Sequence, residues 1–273
     1  MRKFLAFLAL AFFALAGSAF ALEVQPWFGE VYQFHLLSSY SYSWFHSVQN
    51  ARPPFHKFFQ ENLVYFDLDF SLSPEWSVDA DLQFADTTAV PFSFRTAAVQ
   101  GRYLWLDDII GDPISLSTGA SARFTSSKGL SDISCPSFAN LDLEVNVALG
   151  KEFISGYTWR YRTWAYGAIG QGNRGSPWVK GIVAFEMNCR DLHKWALYTE
   201  GTNAYGRHTH INVERFYGYA KIREKLIDVG ARYGYRMGVW GTLRFDYLYR
   251  VLAKSAPQNV NTVMVSWLLP FSF

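Results

Sequence analysis

The chain has 273 residues, half of them hydrophobic, with 24 Phe, 16 Tyr and 10 Trp. A net charge of +2 gives no field of one sign with which to hold a nucleic acid. Beyond the N-terminal run, no stretch approaches ~18 unbroken apolar residues, which excludes a membrane-spanning helix from the rest of the sequence.

Arg2 and Lys3 precede an apolar run from Phe4 to Ala16, and Ala19, Phe20 and Ala21 fit the small-x-small cleavage rule. Residues 1–21 therefore read as a secretory signal peptide cut after Ala21. The alternative is a retained anchor, for which the run is short. Residues 22–273 read as one domain. An exported chain without a helical span can still cross a membrane as a closed barrel, because lipid offers no partner to unpaired backbone groups.

Strand-like alternation starts weakly over roughly 30–45 and becomes clear at Val64, Phe66, Leu68, Phe70 and Leu72, between Asp67, Asp69 and serines. Pro74 and Glu75 turn the chain, and Trp76, Val78, Ala80, Leu82 and Phe84 alternate with Ser77, Asp79, Asp81 and Gln83. Successive strand side chains point to opposite faces, so this is a hairpin with one greasy and one acidic face. Clear runs follow over 114–124, 141–149, 227–235, 243–251 and 263–273, and weaker ones over 93–105, 157–169, 178–187, 193–200 and 210–222. Opposed charges in mid-strand, with Trp76, Trp105, Trp159, Trp178 and Trp267 near strand ends on the apolar face, favour a lipid-facing barrel over a soluble sandwich.

The fold class predicted is all-β: an antiparallel up-and-down transmembrane β-barrel. The runs number thirteen, whereas single-chain bacterial barrels use an even number, so twelve strands are expected and fourteen is the alternative. Two short turns, Ser73–Trp76 and Met237–Val239, both look periplasmic, yet in a thirteen-run tally they fall at opposite ends. Turn formers cluster over 46–61, 86–92, 126–137, 170–177 and 201–209. Cys135 and Cys189 fall in connections at opposite ends and read as two free thiols.

The leader, the amphipathic strands and the terminal Val-Ser-Trp-Leu-Leu-Pro-Phe-Ser-Phe resemble Gram-negative outer-membrane β-barrel proteins. The resemblance implies a cell outer-membrane location, contact with membrane lipid, and an assembly signal in Trp267, Leu269, Phe271 and Phe273 that the barrel-assembly machinery would read. Pro270 departs from the usual pattern and is expected near the periplasmic end of its strand. More loosely, Gly101–Asp108 and Asn173–Trp178 are similar to uncharacterised outer-membrane barrels of chlamydia-type bacteria, which implies location and no activity.

The inward-facing charges are the first candidate site: Asp67, Asp79, Asp81, Arg102, Arg123, Asp142, Glu144, Arg160, Arg162, Asp228, Arg232, Arg244 and Asp246 are expected to line the lumen. Glu144 is expected to face Arg162 or Arg160, and Arg236 and Arg250 to join the set. Such charges either rigidify a packed lumen or form a selectivity ladder for small solutes. The function expected is therefore a small passive pore or a structural envelope barrel.

His208 and His210 form the second candidate, superficially similar to the His-x-Ser of outer-membrane phospholipase A, but His210 stands where the nucleophilic serine belongs. A lipid-modifying enzyme is the alternative from another class, and a surface adhesin using loops 46–61 and 126–137 is a third. Two histidines on alternate residues supply too few ligands for zinc, with His46 and His56 in another loop. No cofactor motif is present: there is no G-x-S-x-G, Walker loop, dinucleotide fingerprint, H-E-x-x-H or calcium loop.

Overall fold

A computed structural model describes residues 24–272. The signal peptide assigned to 1–21 and the terminal Phe273 lie outside the described residues.

Twelve antiparallel strands close into a barrel. They are β1 (Phe34–Phe45), β2 (Phe59–Ser71), β3 (Trp76–Thr87), β4 (Ser93–Leu106), β5 (Ser115–Thr125) and β6 (Leu141–Ser155), then β7 (Trp159–Gly172), β8 (Trp178–Cys189), β9 (His193–Ala204), β10 (Lys225–Arg236), β11 (Thr242–Lys254) and β12 (Asn261–Phe271). Each pairs with its sequence neighbour, and β1 pairs with β12 from Phe34 opposite Phe271 to Trp44 opposite Asn261. Closure leaves no unpaired edge, as hydrocarbon surroundings require. Pro270 lies opposite His35, beside the end of β12, where a missing ladder donor costs least.

The period-2 pattern sets the two faces. On β2 the odd residues Glu61 to Ser71 are buried, while Phe66 and Leu68 stand exposed outside. The outer surface carries Leu82, Val99, Leu143, Val145, Ile169, Val183, Leu197, Val229, Tyr247 and Val265, an apolar belt that water would penalise. Trp76, Trp105 and Trp267 are exposed there too. Trp178 is the exception to the outward tryptophans: β8 puts its even residues inside, so the indole is buried and stacks on Phe138, centroids 5.2 Å apart.

The run 210–222 is not a barrel strand. It lies in the 205–224 connection, where Ile211–Asn212 pairs in parallel with Ala51–Arg52 and His208 bridges to Ile222. Removing it leaves twelve strands and resolves the parity conflict. The 72–75 and 237–241 turns now share one end with the connections 107–114, 156–158 and 190–192. We call this the turn end. The connections 46–58, 88–92, 126–140, 173–177, 205–224 and 255–260 form the loop end. Cys189 closes β8 at the turn end and buried Cys135 sits in a loop-end connection; both are free.

Loop-end segments build a second core above the barrel. Ile211, Ala256, Tyr219, Leu226, Phe216, Ile133 and Phe138 bury together there with Phe45 and Phe59. Helix α1 (Ser127–Ser131) contributes Leu130, its N-terminus capped by the Ser126 hydroxyl, which accepts from the Gly129 N–H at 3.0 Å. The Tyr219 hydroxyl donates to the Ile133 carbonyl at 2.7 Å, tying two loops into one cap. Ile211, Phe216, Tyr219 and Ile222 of 205–224 therefore face this cap and not lipid.

Candidate functional site: the barrel interior

Buried charged side chains on the inward faces of the strands pair with one another. Register sets Asp67 opposite Asp81 and Asp69 opposite Asp79, two like-charged pairs that would repel without cations. The next strands supply them. Arg102 on β4 donates to Asp79 through Nε at 3.1 Å and Nη2 at 3.3 Å and lies 3.9 Å from Asp69, and Arg123 on β5 lies 3.5 Å from Asp81. The Ser77 hydroxyl donates to Asp69 at 2.5 Å. Across the bore, Arg250 grips Asp228 through two donors at 2.8 and 2.9 Å, and Arg232 donates to Asp246 at 2.6 Å. These carboxylates are buried, and a charge in that setting is tolerable only when paired and hydrogen-bonded.

Other assignments from sequence shift. Glu144 does not face Arg160 or Arg162, because β6 runs on to Ser155 and the turn comes later than 149. Register then sets Glu144 opposite Gly170 and Glu152 opposite Arg162, which donates to Glu152 at 2.7 Å. Glu144 instead accepts from the Tyr166 hydroxyl and from Asn146. Arg160 is at the turn end, partly exposed and paired with Asp191 at 2.8 Å, and Arg236 is exposed at the end of β10. Asp142 is buried near the loop end, where its carboxylate accepts from the Ala139 N–H, and Arg244 is half-buried on β11. At the strand ends, Trp267, Leu269 and Phe271 sit on β12.

His208 and His210 are exposed in the 205–224 connection; the His208 backbone bonds Lys221 and Arg223, and the Ser255 hydroxyl is spent on the Thr209 carbonyl. His46 and His56 are exposed in the 46–58 loop. Among the described residues no group of three metal-ligating side chains forms.

Sequence reasoning missed the most consequential part, the segment before β1. Val24 to Gly29 lies inside the turn half of the barrel without strand pairing. Val24 is 6% exposed, among Ala148, Trp164, Tyr166, Ile182 and Ala184 of β6, β7 and β8. Trp27 donates to Asp108 at 2.8 Å, Gln25 donates to Glu186 at 3.2 Å, and the Gln25 carbonyl accepts from Arg102 at 2.8 Å. The guanidinium of Arg162 lies over the Trp27 ring at 4.6 Å and that of Arg102 over Phe28 at 4.9 Å. Gly150 makes the room, since a Cβ there would meet Pro26 and Trp27 at 2.6 Å. The missed signal is compositional: a Trp-Phe pair in a stretch with no alternation.

Two groups outside the strands have shifted acidities. Burial pushes the Asp108 carboxyl up, but donors from Ser115, the Glu152 N–H and Trp27 outweigh it and hold the carboxyl below its ordinary value. Glu224, buried under the cap, is pushed up to about 8 by burial, which nearby Arg250 only partly offsets.

Beside the N-terminal segment the interior keeps two cavities, an inner chamber of about 110 Å³ and an outer one of about 220 Å³ toward the turn end. Both linings include Gln25, Glu186, Ala196, Arg232 and Arg244, which therefore form a waist between them.

A closed twelve-stranded antiparallel barrel with an apolar outer belt and a polar, ion-paired bore defines the outer-membrane β-barrel fold. Among solved structures the chain is similar to an outer membrane channel from Pseudomonas putida F1, with 10% identity and a TM-score of 0.59, covering 92% of this chain and 100% of that one. It is also similar to the NanC porin, with 9% identity and a TM-score of 0.53, covering 85% and 97%. At this identity the likeness is one of fold. No protein-family model matches the chain, and no curated protein matches its sequence.

Proposed function

We propose that the protein is an integral outer-membrane barrel that serves as a small-solute pore and is held shut, in this conformation, by its own N-terminal segment. The observation that carries the reading is what occupies the turn half of the bore: Val24 to Gly29, held by side-chain bonds and ring contacts and not by sheet pairing. Asp79, Asp81, Arg102, Arg123, Arg162, Arg232 and Asp246 would then set ion preference along the path. The porin-like fold supports this reading. In it the turn end is periplasmic, the belt contacts lipid, residues 1–21 are removed on export, and the barrel-assembly machinery reads the last strand. The source suggested by Gly101–Asp108, a chlamydia-type envelope, fits the same reading.

A structural envelope barrel is the second reading, and the packed loop-end cap favours it, because solute passage needs that cap to part as well. Planar-bilayer recording of refolded wild type and Trp27→Ala separates the two. Discrete conductance in either supports the pore. A folded, silent barrel in both leaves the structural role.

A further inference from the structure

The inner chamber has features that neither a conduction path nor a structural filling needs. Three hydroxyls on its lining, those of Ser39, Tyr65 and Ser266, are buried at 6%, 4% and 2% exposure and bond no described group. Ser39 and Ser266 are register partners across the β1–β12 seam, yet their hydroxyls do not bond each other. Buried polar groups are rarely left so, and three around one cavity mark a place built to receive polar atoms. The rest of the wall is mainly apolar, including Leu37, Ile182 and Met264. A small apolar chamber with a few converging polar groups is how small-molecule sites are commonly built.

We propose that this chamber binds a small monocarboxylate of about four carbons, its carboxylate accepting from Arg232 and from the Ser39, Tyr65 and Ser266 hydroxyls and its chain lying against the apolar wall. Size sets the length: a dry cavity of ~150 Å³ takes up benzene, so 110 Å³ holds something slightly smaller. Charge sets the orientation. Arg232 rests one donor on Asp246, which leaves further guanidinium N–H groups for a ligand. Glu186 at the waist is already engaged by Gln25 and Trp164, while Glu200 lies four residues further toward the loop end on β9 than Ala196 at the waist. A second carboxylate at the far end of the ligand would meet Glu200, so dicarboxylates are disfavoured. The ligand reaches the chamber through the outer cavity once the N-terminal segment yields, and the site stands whether or not the barrel conducts.

The test is isothermal titration of the full refolded protein in detergent with butyrate, butyramide, succinate and inorganic phosphate. Butyrate is expected to saturate one site, with butyramide at least about tenfold weaker because the charged hydrogen-bonded pair is lost. Succinate is expected to bind more weakly because its second carboxylate meets Glu200, and phosphate because it has no apolar chain. Ser39→Ala should weaken butyrate several-fold. Tyr65→Phe removes a hydroxyl that bonds nothing described, so it should weaken butyrate several-fold without lowering the melting temperature. Absence of saturable butyrate binding, equal binding of butyramide or phosphate, or an unchanged affinity in both variants overturns the proposal.

Discussion

Trp27 and Asp108, 81 residues apart, meet through an indole N–H to carboxylate bond of 2.8 Å that ties the N-terminal segment to the turn between β4 and β5. Asp108 also accepts from the Ser115 hydroxyl at 2.5 Å and the Glu152 N–H at 2.6 Å, so the anchor is fixed before Trp27 docks. The segment is thus clipped to a rigid post. Trp27→Ala removes both the clip and the Arg162 ring contact, and single-channel conductance is expected to appear or rise. Gly150→Leu should do the same from the wall side, where even one added carbon would collide with Pro26 and Trp27.

The clip should loosen in acid. Asp108 has a lowered folded pKa, so its contribution is complete above the ordinary carboxylate value of about 4 and is lost as pH falls through the folded value. Trp27 fluorescence should therefore report release of the segment only below about pH 4, and Asp108→Asn should show release at neutral pH.

The cap should respond in the opposite sense. Glu224 has a folded pKa raised to about 8, so the unfolded loop ionises first and stability falls as pH climbs from the ordinary glutamate range to about 8. Limited proteolysis of the 205–224 loop should be faster at pH 9 than at pH 6. Glu224→Gln should flatten that dependence.

Asp228 and Arg250 form a bidentate pair inside the bore. Asp228→Ala strands the guanidinium and is expected to cost about 3–5 kcal/mol in urea unfolding, whereas a matched apolar pair at 228 and 250 should recover most of it. If the single variant costs under about 1 kcal/mol, the pair behaves as a solvated one.

The two thiols should differ in reactivity. Cys135 is buried under the cap and Cys189 is half-buried at the turn end, so maleimide should label one site in the folded barrel and two after denaturation.

The barrel was legible in the sequence because a lipid belt imposes a strict two-residue period on β2, β3, β6 and β12. The expected twelve strands are found, and the thirteenth run, 210–222, entered the tally because Ile211, Phe216 and Tyr219 are apolar for a different reason: they bury in the cap, and hydrophobicity alone does not say which apolar surroundings a side chain enters. The Arg162 partner was misread because strand length fixes register, and the outward Phe153 and Ile154 at the end of β6 were left out of its strand. Val24 to Phe28 could not be placed from sequence at all, since a segment filling a bore obeys no period.

Because Val24 is enclosed by β6, β7 and β8, bulk attached at Val24 would have to enter the interior or drag the segment out. An affinity tag or fluorescent fusion placed at that end would report on a disturbed molecule. The same label inserted in the 88–92 connection, where Ala89, Pro91 and Phe92 are exposed at the opposite rim, would leave the interior as it is.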